Sequence, residues 1–414
     1  MIFDKNTRGM VISVMALITI GIIMVYSSSA VISTGKFGSS FHYLWRHLTA
    51  VFIGLVVMIL LARTDYQRLR DFVFPLLILS FVLLILVFIP HIGVSAGSNS
   101  GVKRWIRLWP LTFQPSELVK IAIVLFMADY MSRNAHRMKE LRYGVLIPLT
   151  VMAVFQGMIM LQPDFGATVS IGILTITLLF IGGIKFRYIA GTGLLSLPVV
   201  ALLIIREPYR LRRITAFLDP WQDPRHSGYQ LVQSLLALGR GGVTGVGIGD
   251  SKQKNLSYLP EGHTDFIFSL IGEELGLIGV LIVVGLFVYL FIKGFKISMK
   301  KEDSYGYYLA LGLTVMTASQ ALINFAVATG VMPTKGLPLP FISYGGSALL
   351  VNMAAIGILI NISNSSFERS ENWAGSTDGH IRNTRKILSY ADRHNGSFET
   401  PGKRTWPFWK RKNK

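Results

Sequence analysis

The stretch Met10–Thr34, MVISVMALITIGIIMVYSSSAVIST, contains no Asp, Glu, Lys or Arg. A helix needs about 20 apolar residues to cross the roughly 30 Å hydrocarbon core of a bilayer. The stretch is long enough to span, and it is not alone. Phe72–Val102, Phe165–Ile184 and Tyr188–Ile205 are equally free of charge. Backbone groups in lipid must bond within their own segment, so repeated runs of this kind predict an all-α integral membrane protein.

Working outward from these runs gives ten transmembrane helices, over 10–33, 46–62, 72–90, 116–132, 144–161, 165–184, 187–205, 266–292, 305–330 and 344–362. Charged residues make up 15% of the chain, against about 25% in soluble domains. The net charge of +19 does not point to nucleic acid, because the basic residues flank the apolar runs instead of forming one soluble patch. With no cysteine, disulfide staples and thiol chemistry are excluded. Ser28-Ser29-Ala30 resembles a signal-peptide cleavage site, but the long run before it and the many runs after it favour a retained anchor.

Lys and Arg set the orientation. With the N-terminus inside, most of the 41 basic residues fall on the cytoplasmic side, and an even number of spans returns the C-terminus there. The chain divides into a membrane domain over 1–362, with a large outer loop at 206–264 between helices 7 and 8, and a basic tail over 363–414. The tail composition predicts a disordered cytoplasmic arm, either solvated near anionic lipid or docking a partner.

This topology puts every unusual polar motif on the outer side. Lys103 and Arg104 lie between the third and fourth spans, and Glu117 and Lys120 just inside the fourth. Asp164 lies between the fifth and sixth. Pro115 and Pro163 suit first helical turns, placing Glu117 and Asp164 where the helix dipole favours negative charge. Both carboxylates read equally as well-capped helix starts, and Glu117 with Lys120 as a neutralising i,i+3 pair. An ionisable residue at membrane depth is nonetheless a functional candidate.

The outer loop is basic where few cations are expected. Arg206, Arg210, Arg212 and Arg213 form either a solvated cluster or a phosphate clamp. The loop closes on His263, Thr264 and Asp265, with Thr264 as a cap and Asp265 in the first turn of the eighth span. The dipole would lower the Asp265 pKa and desolvation would raise it. His263 reads as a second proton carrier or a structural histidine, and Glu273 and Glu274 as buried partners of a basic residue. The glycines from Gly239 to Gly249 allow close backbone approach but follow no phosphate-loop pattern. Lys335 lies in the last outer segment, TKGLPLPFISYGG.

FQPSEL (113–118), LQPDFG (161–166), LDPWQDP (218–224), SGYQLVQS (227–234), GVGIGDSKQK (245–254), YLPEGHTDFIF (258–268), IGEELG (271–276) and PFISYGGS (340–347) together resemble the SEDS family of bacterial cell-wall polymerases. The resemblance runs from Val25-Tyr26-Ser27 to about Ile362 and is closer to the division member than to the elongation member; the sporulation paralogue is also similar. One departure is Gly262, where relatives often carry Ala.

The resemblance implies a glycosyltransferase of the bacterial inner membrane at the division septum. It would polymerise lipid II, a disaccharide-pentapeptide on undecaprenyl pyrophosphate, beside a class B penicillin-binding protein and other division proteins. Asp265 would be the base. Arg210, Arg212, Arg213, Lys103 or Arg104 would hold pyrophosphate, with Lys120 nearer the lipid chain and Glu117 and Asp164 positioning the cations. The resemblance establishes no cofactor, and a divalent cation (Mg or Mn) between Asp265 and the pyrophosphate is compatible with this chemistry. Two rival readings are a lipid II transporter using Glu117, Lys120, Glu273 and Glu274, and a non-catalytic division scaffold.

Overall fold

The computed structural model describes residues 5–95, 103–108, 111–251 and 262–365. The tail beyond 365, Gly101-Val102 and the segment 252–261, which carries part of two of the motifs, lie outside the described residues.

The chain is predominantly helical. Its helices are α1 (Lys5–Phe37), α2 (His42–Arg63), α3 (Val73–Leu86), α4 (Pro115–Asn134), α5 (Arg142–Leu161), α6 (Phe165–Ile181), α7 (Phe186–Ile205), α8 (Pro208–Leu218), α9 (Tyr229–Gly241), α10 (Ile267–Met299), α11 (Ser304–Ala328) and α12 (Gly346–Ser365). Seven of them, α1, α2, α5, α7, α10, α11 and α12, are long and apolar enough to cross a membrane. The protein is therefore a multi-pass membrane protein. Helices α3 and α6 are apolar but shorter. Helix α4 carries Glu117, Lys120 and Asp129, all buried.

Helices α4, α11 and α12 form the interior. Val119, Ala122, Val124 and Met127 of α4 are buried, Val124 lies against Gly312 of α11, and α11 also packs on α10. Helix α1 packs against α2 and α10, and α3 against α4. No residue of α7 is fully buried, although Tyr188 and Ile189 pack against the core, so this helix is the most peripheral of the long apolar ones.

Three features depart from the sequence reading. The fold is not purely helical: β1 (Gly93–Ser95), β2 (Lys103–Leu108) and β3 (Leu111–Phe113) form an antiparallel meander between α3 and α4. Helix α3 stops at Leu86, and the chain beyond turns back to pair Val94 with Trp105 and Ile106 with Phe113. Lack of charge in 87–90 extends the predicted span 72–90 beyond the helix end at Leu86, and the sequence reading does not foresee the short strands that follow. Helix α10 begins at Ile267, so Asp265 precedes the helix and Thr264 is not its cap; Phe266 holds that position without a side-chain bond. Asp164 itself caps α6, its Oδ1 accepting from the Ala167 N–H at 3.0 Å, so Pro163 lies outside the helix.

The 33-residue α10 is broken at Gly276, whose φ of 67° and ψ of −165° are not helical. The glycine-rich stretch fills the break. Val246 and Gly247 donate to the carbonyls of Glu273 and Glu274 at 3.0 and 3.1 Å, while Leu277 and Ile278 donate to Gly242 and Val243 at 3.0 and 3.2 Å. Backbone groups freed inside a membrane must find such partners. A β-carbon at Gly241 or Gly245 would collide with the backbone of Gly272 or Glu274. The close approach these glycines permit is to a helix, not to a ligand.

Candidate active site

One segment, 334–344 between α11 and α12, carries Lys335, contacts Arg213, Asp265 and His263 directly, and reaches Lys120 through Gln320. At its start the Thr334 carbonyl accepts from Nη1 of Arg213, on α8, at 2.9 Å. Lys335 lies over the Phe165 ring, Nζ 5.8 Å from its centroid, and the Arg210 guanidinium approaches the same ring at 5.4 Å. Phe165 opens α6, so two cations from separate elements share one aromatic ring. Lys335 is half-buried, and desolvation pulls its pKa below the ordinary lysine value.

Next along the segment, Gly336 is exposed and adjoins Asp265: a β-carbon added there would stand 3.0 Å from Asp265 Oδ2. Asp265 is half-buried in the turn before α10. Leu337 and Pro338 are held from α11. Nδ2 of Asn324 donates to the Leu337 carbonyl at 2.8 Å and to the Asp265 carbonyl at 2.9 Å, and Nε2 of Gln320 donates to Pro338 at 3.0 Å.

Gln320 extends the network to α4. Its Oε1 accepts from Lys120 Nζ at 3.2 Å, and Lys120 forms an ion pair with Glu117 at 2.8 Å, both side chains buried. At the segment's end the Tyr344 N–H donates to the His263 carbonyl at 3.0 Å. The buried His263 ring packs against both Tyr43 and Tyr344, with centroids at 5.1 and 5.7 Å, and the two tyrosines meet each other at 5.3 Å. Burial raises the Tyr344 pKa above the ordinary phenol value.

The α5–α6 turn is fixed from two sides. Arg104 of β2 donates from Nε to Gln162 and from Nη2 to Pro163, and Gln114 Nε2 donates to Asp164 Oδ2 at 3.1 Å. Lys103 is the neighbour of Arg104 in β2, and successive strand residues face opposite ways. Arg212 is exposed on α8. No described contact brings Lys103 or Arg212 to the 334–344 segment.

Glu273 and Glu274 are fully buried behind the helix break. Glu273 lies 3.8 Å from Arg240 and accepts from Ser251, while Glu274 accepts from the Ser27 hydroxyl at 2.7 and 2.8 Å. Among the described residues no group of three or more His, Cys, Asp or Glu side chains could hold a metal ion.

Sequence reasoning missed Gln320 and Asn324, which carry no charge. Their signal was two amides four residues apart in an apolar span, a spacing that puts both on one helix face.

The arrangement offers one half-buried carboxylate, Asp265, beside a segment that carries Lys335 and is bonded by Arg213, with Arg210 at the Phe165 ring that Lys335 also approaches. Such a site can take a proton from a hydroxyl while cations hold an anionic leaving group.

The family model described as a cell cycle protein, FtsW/RodA/SpoVE, matches residues 8–368. A probable peptidoglycan glycosyltransferase FtsW of Trichlorobacter lovleyi is 45% identical over 354 residues, 86% of this chain and 92% of that relative. The stage V sporulation protein E of Bacillus subtilis is 40% identical over 355 residues, 86% of this chain and 96% of its own. A solved structure of a peptidoglycan synthase complex, described as coordinating polymerization and crosslinking, contains a chain superposing with a TM-score of 0.71 at 27% identity. The match covers 88% of this chain and 98% of that one.

Proposed function

The chain belongs to the FtsW/RodA/SpoVE family, and from that premise we propose that it is a peptidoglycan glycosyltransferase that polymerises lipid II during septal wall synthesis. The observation that carries the reading is the 334–344 segment, which carries Lys335, adjoins Asp265 at Gly336, accepts from Arg213 at Thr334 and reaches, through Lys335, the Phe165 ring that Arg210 also approaches.

The reaction is a single inverting displacement. The acceptor hydroxyl oxygen bonds to the donor's anomeric carbon as the bond from that carbon to the pyrophosphate oxygen breaks. The hydroxyl proton passes to Asp265, and undecaprenyl pyrophosphate departs with the bonding electrons. Lys335, Arg210 and Arg213 hold that pyrophosphate, with Arg212 and Lys103 at the approaches. Arg104, Asp164 and Gln114 keep the α5–α6 turn in place beneath Phe165. Glu117 and Lys120 support the segment through Gln320, and His263 supports it through Tyr344. A divalent cation would find one protein carboxylate, Asp265, and complete its shell with pyrophosphate oxygens, the ligand set Mg2+ accepts.

In the cell we place ten spans across the bacterial inner membrane, counting α3, α4 and α6 with the seven long helices. Both termini are cytoplasmic and 206–264 is outside. A class B penicillin-binding protein is the crosslinking partner, in keeping with the synthase complex that the chain resembles, and other division proteins assemble around the pair.

The test is the full-length protein with its penicillin-binding partner, incubated with labelled lipid II and the products resolved by size. Wild type makes long glycan, and Asp265→Asn loses about 10²–10⁴-fold of the rate, the usual contribution of a general base. Undiminished polymerisation by Asp265→Asn removes Asp265 from the mechanism.

A further inference from the structure

Asn324 is 1% exposed on α11, in the middle of an apolar bundle. Its two amide protons go to two backbone carbonyls that are distant in sequence, Asp265 at 2.9 Å and Leu337 at 2.8 Å. Its Oδ1 is buried and takes no hydrogen bond among the described residues. A buried acceptor left without a donor carries a penalty, and a Leu of similar volume would avoid it. What the amide supplies and Leu could not is the double donation. The two bonds also fix the amide's orientation, because the reversed rotamer would set Oδ1 against both carbonyls.

We propose that Asn324 is a positioning residue for the glycosyl-transfer step. It ties the turn carrying Asp265 to the segment carrying Lys335 and Gly336, so that the base and the nearest cation are held in one fixed relation. The inference rests on Asp265 being the base. Neither backbone piece could hold this relation alone. Asp265 precedes α10 and lies outside its hydrogen-bond ladder, and the 334–340 stretch has no regular secondary structure. Gln320, one turn earlier on α11, holds the adjacent Pro338 carbonyl. The two amides thus divide the work: Gln320 anchors the segment to the bundle, and Asn324 joins it to the Asp265 carbonyl itself, while the Tyr344 N–H ties its far end to the His263 carbonyl.

The experiment compares wild type, Asn324→Leu, Asn324→Asp, Asp265→Asn and the double variant Asn324→Leu/Asp265→Asn, each as full-length protein with its partner on labelled lipid II. Misplacing a reacting group by about 1 Å can cost about a hundredfold. Asn324→Leu should therefore lower kcat by about tenfold to about a hundredfold while KM stays within about twofold. In the Asp265→Asn background the same change should do almost nothing, because there is no base left to position. Hydrogen exchange should rise in both the 262–266 and the 335–339 peptides.

If Asn324→Leu does not yield folded protein, Asn324→Asp keeps the shape, removes the donors and is read in the same way. Full activity in Asp265→Asn overturns the assignment of the base. A large loss in Asp265→Asn together with normal kcat and normal exchange in the Asn324 variants overturns the positioning role and leaves the base intact. Equal losses from Asn324→Leu with and without Asp265 also overturn it, because they mark a general packing effect.

Discussion

Gly336 and Asp265 are neighbours across two segments of chain: a β-carbon on Gly336 would stand 3.0 Å from the carboxylate oxygen Oδ2 of Asp265. That separation is shorter than ordinary van der Waals contact. Since Gly336 is exposed, the open ground above the carboxylate is kept clear by a missing side chain.

Gly336→Ala should therefore push the Asp265 carboxylate aside without disturbing the bundle. Polymerisation of labelled lipid II is expected to fall about tenfold or more, by the same misplacement argument. The thermal midpoint should move little, because the site is at the surface. Unchanged polymerisation would mean that the carboxylate accommodates the methyl group and that its placement there is not critical.

The buried pair Glu117–Lys120 predicts a different pattern. Removing one partner leaves a charge without compensation in an apolar interior, which costs about 3–5 kcal/mol, whereas replacing both with apolar groups is often near neutral. Lys120→Met should be strongly destabilised in a thermal melt, and Glu117→Leu/Lys120→Met should recover much of the loss. Gln320 would then lose one of its partners, so activity is expected to recover less than stability. Full recovery of activity would show that the pair does no more than neutralise itself.

Much of this was legible in the sequence, and the parts that were not share a cause. Uncharged runs mark spans because lipid tolerates little else, and Asp265, Asp164, Lys335 and the arginines stood out against that background by charge alone. What escaped was carried by backbone. The β1–β3 meander hid because its strands are three to six residues long, too short for a period-2 pattern to show. The break at Gly276 and the glycines that fill it read as a flexible loop, since single-residue types do not reveal which backbone a glycine meets. Asn324 and Gln320 were overlooked because the eye follows charge, whereas in lipid a neutral amide is also conspicuous.

The break in α10 can be tested directly. Gly276 has φ +67° and Gly245 φ +83°, and a β-carbon on either would strike the backbone of the other segment. Gly276→Ala and Gly245→Ala should each cost at least about 2 kcal/mol, combining the strain of a left-handed residue with the collision. The control is Gly285→Ala, at an open position of the same helix with nothing within 4 Å; it should melt like wild type. Equal melting of all three would mean that the break relaxes freely.

The pH dependence follows from Lys335. Burial lowers its pKa below the value it has in the unfolded chain, which is about 10.4. As pH rises from neutral, folded Lys335 loses its proton before the unfolded chain does. Between the two pKa values the unfolded state therefore binds more protons, and this residue's contribution to stability rises with pH. Its hold on pyrophosphate moves the other way, since the neutral amine has no charge to offer the leaving group. Polymerisation should fall on the alkaline side at a pH below the ordinary lysine range while the protein itself becomes no less stable on this account. Lys335→Arg keeps its charge throughout and should carry the alkaline limb upward, even if its longer fork lowers the maximum rate. An alkaline limb that stays in place in Lys335→Arg would assign the titration to another group and take Lys335 out of leaving-group stabilisation.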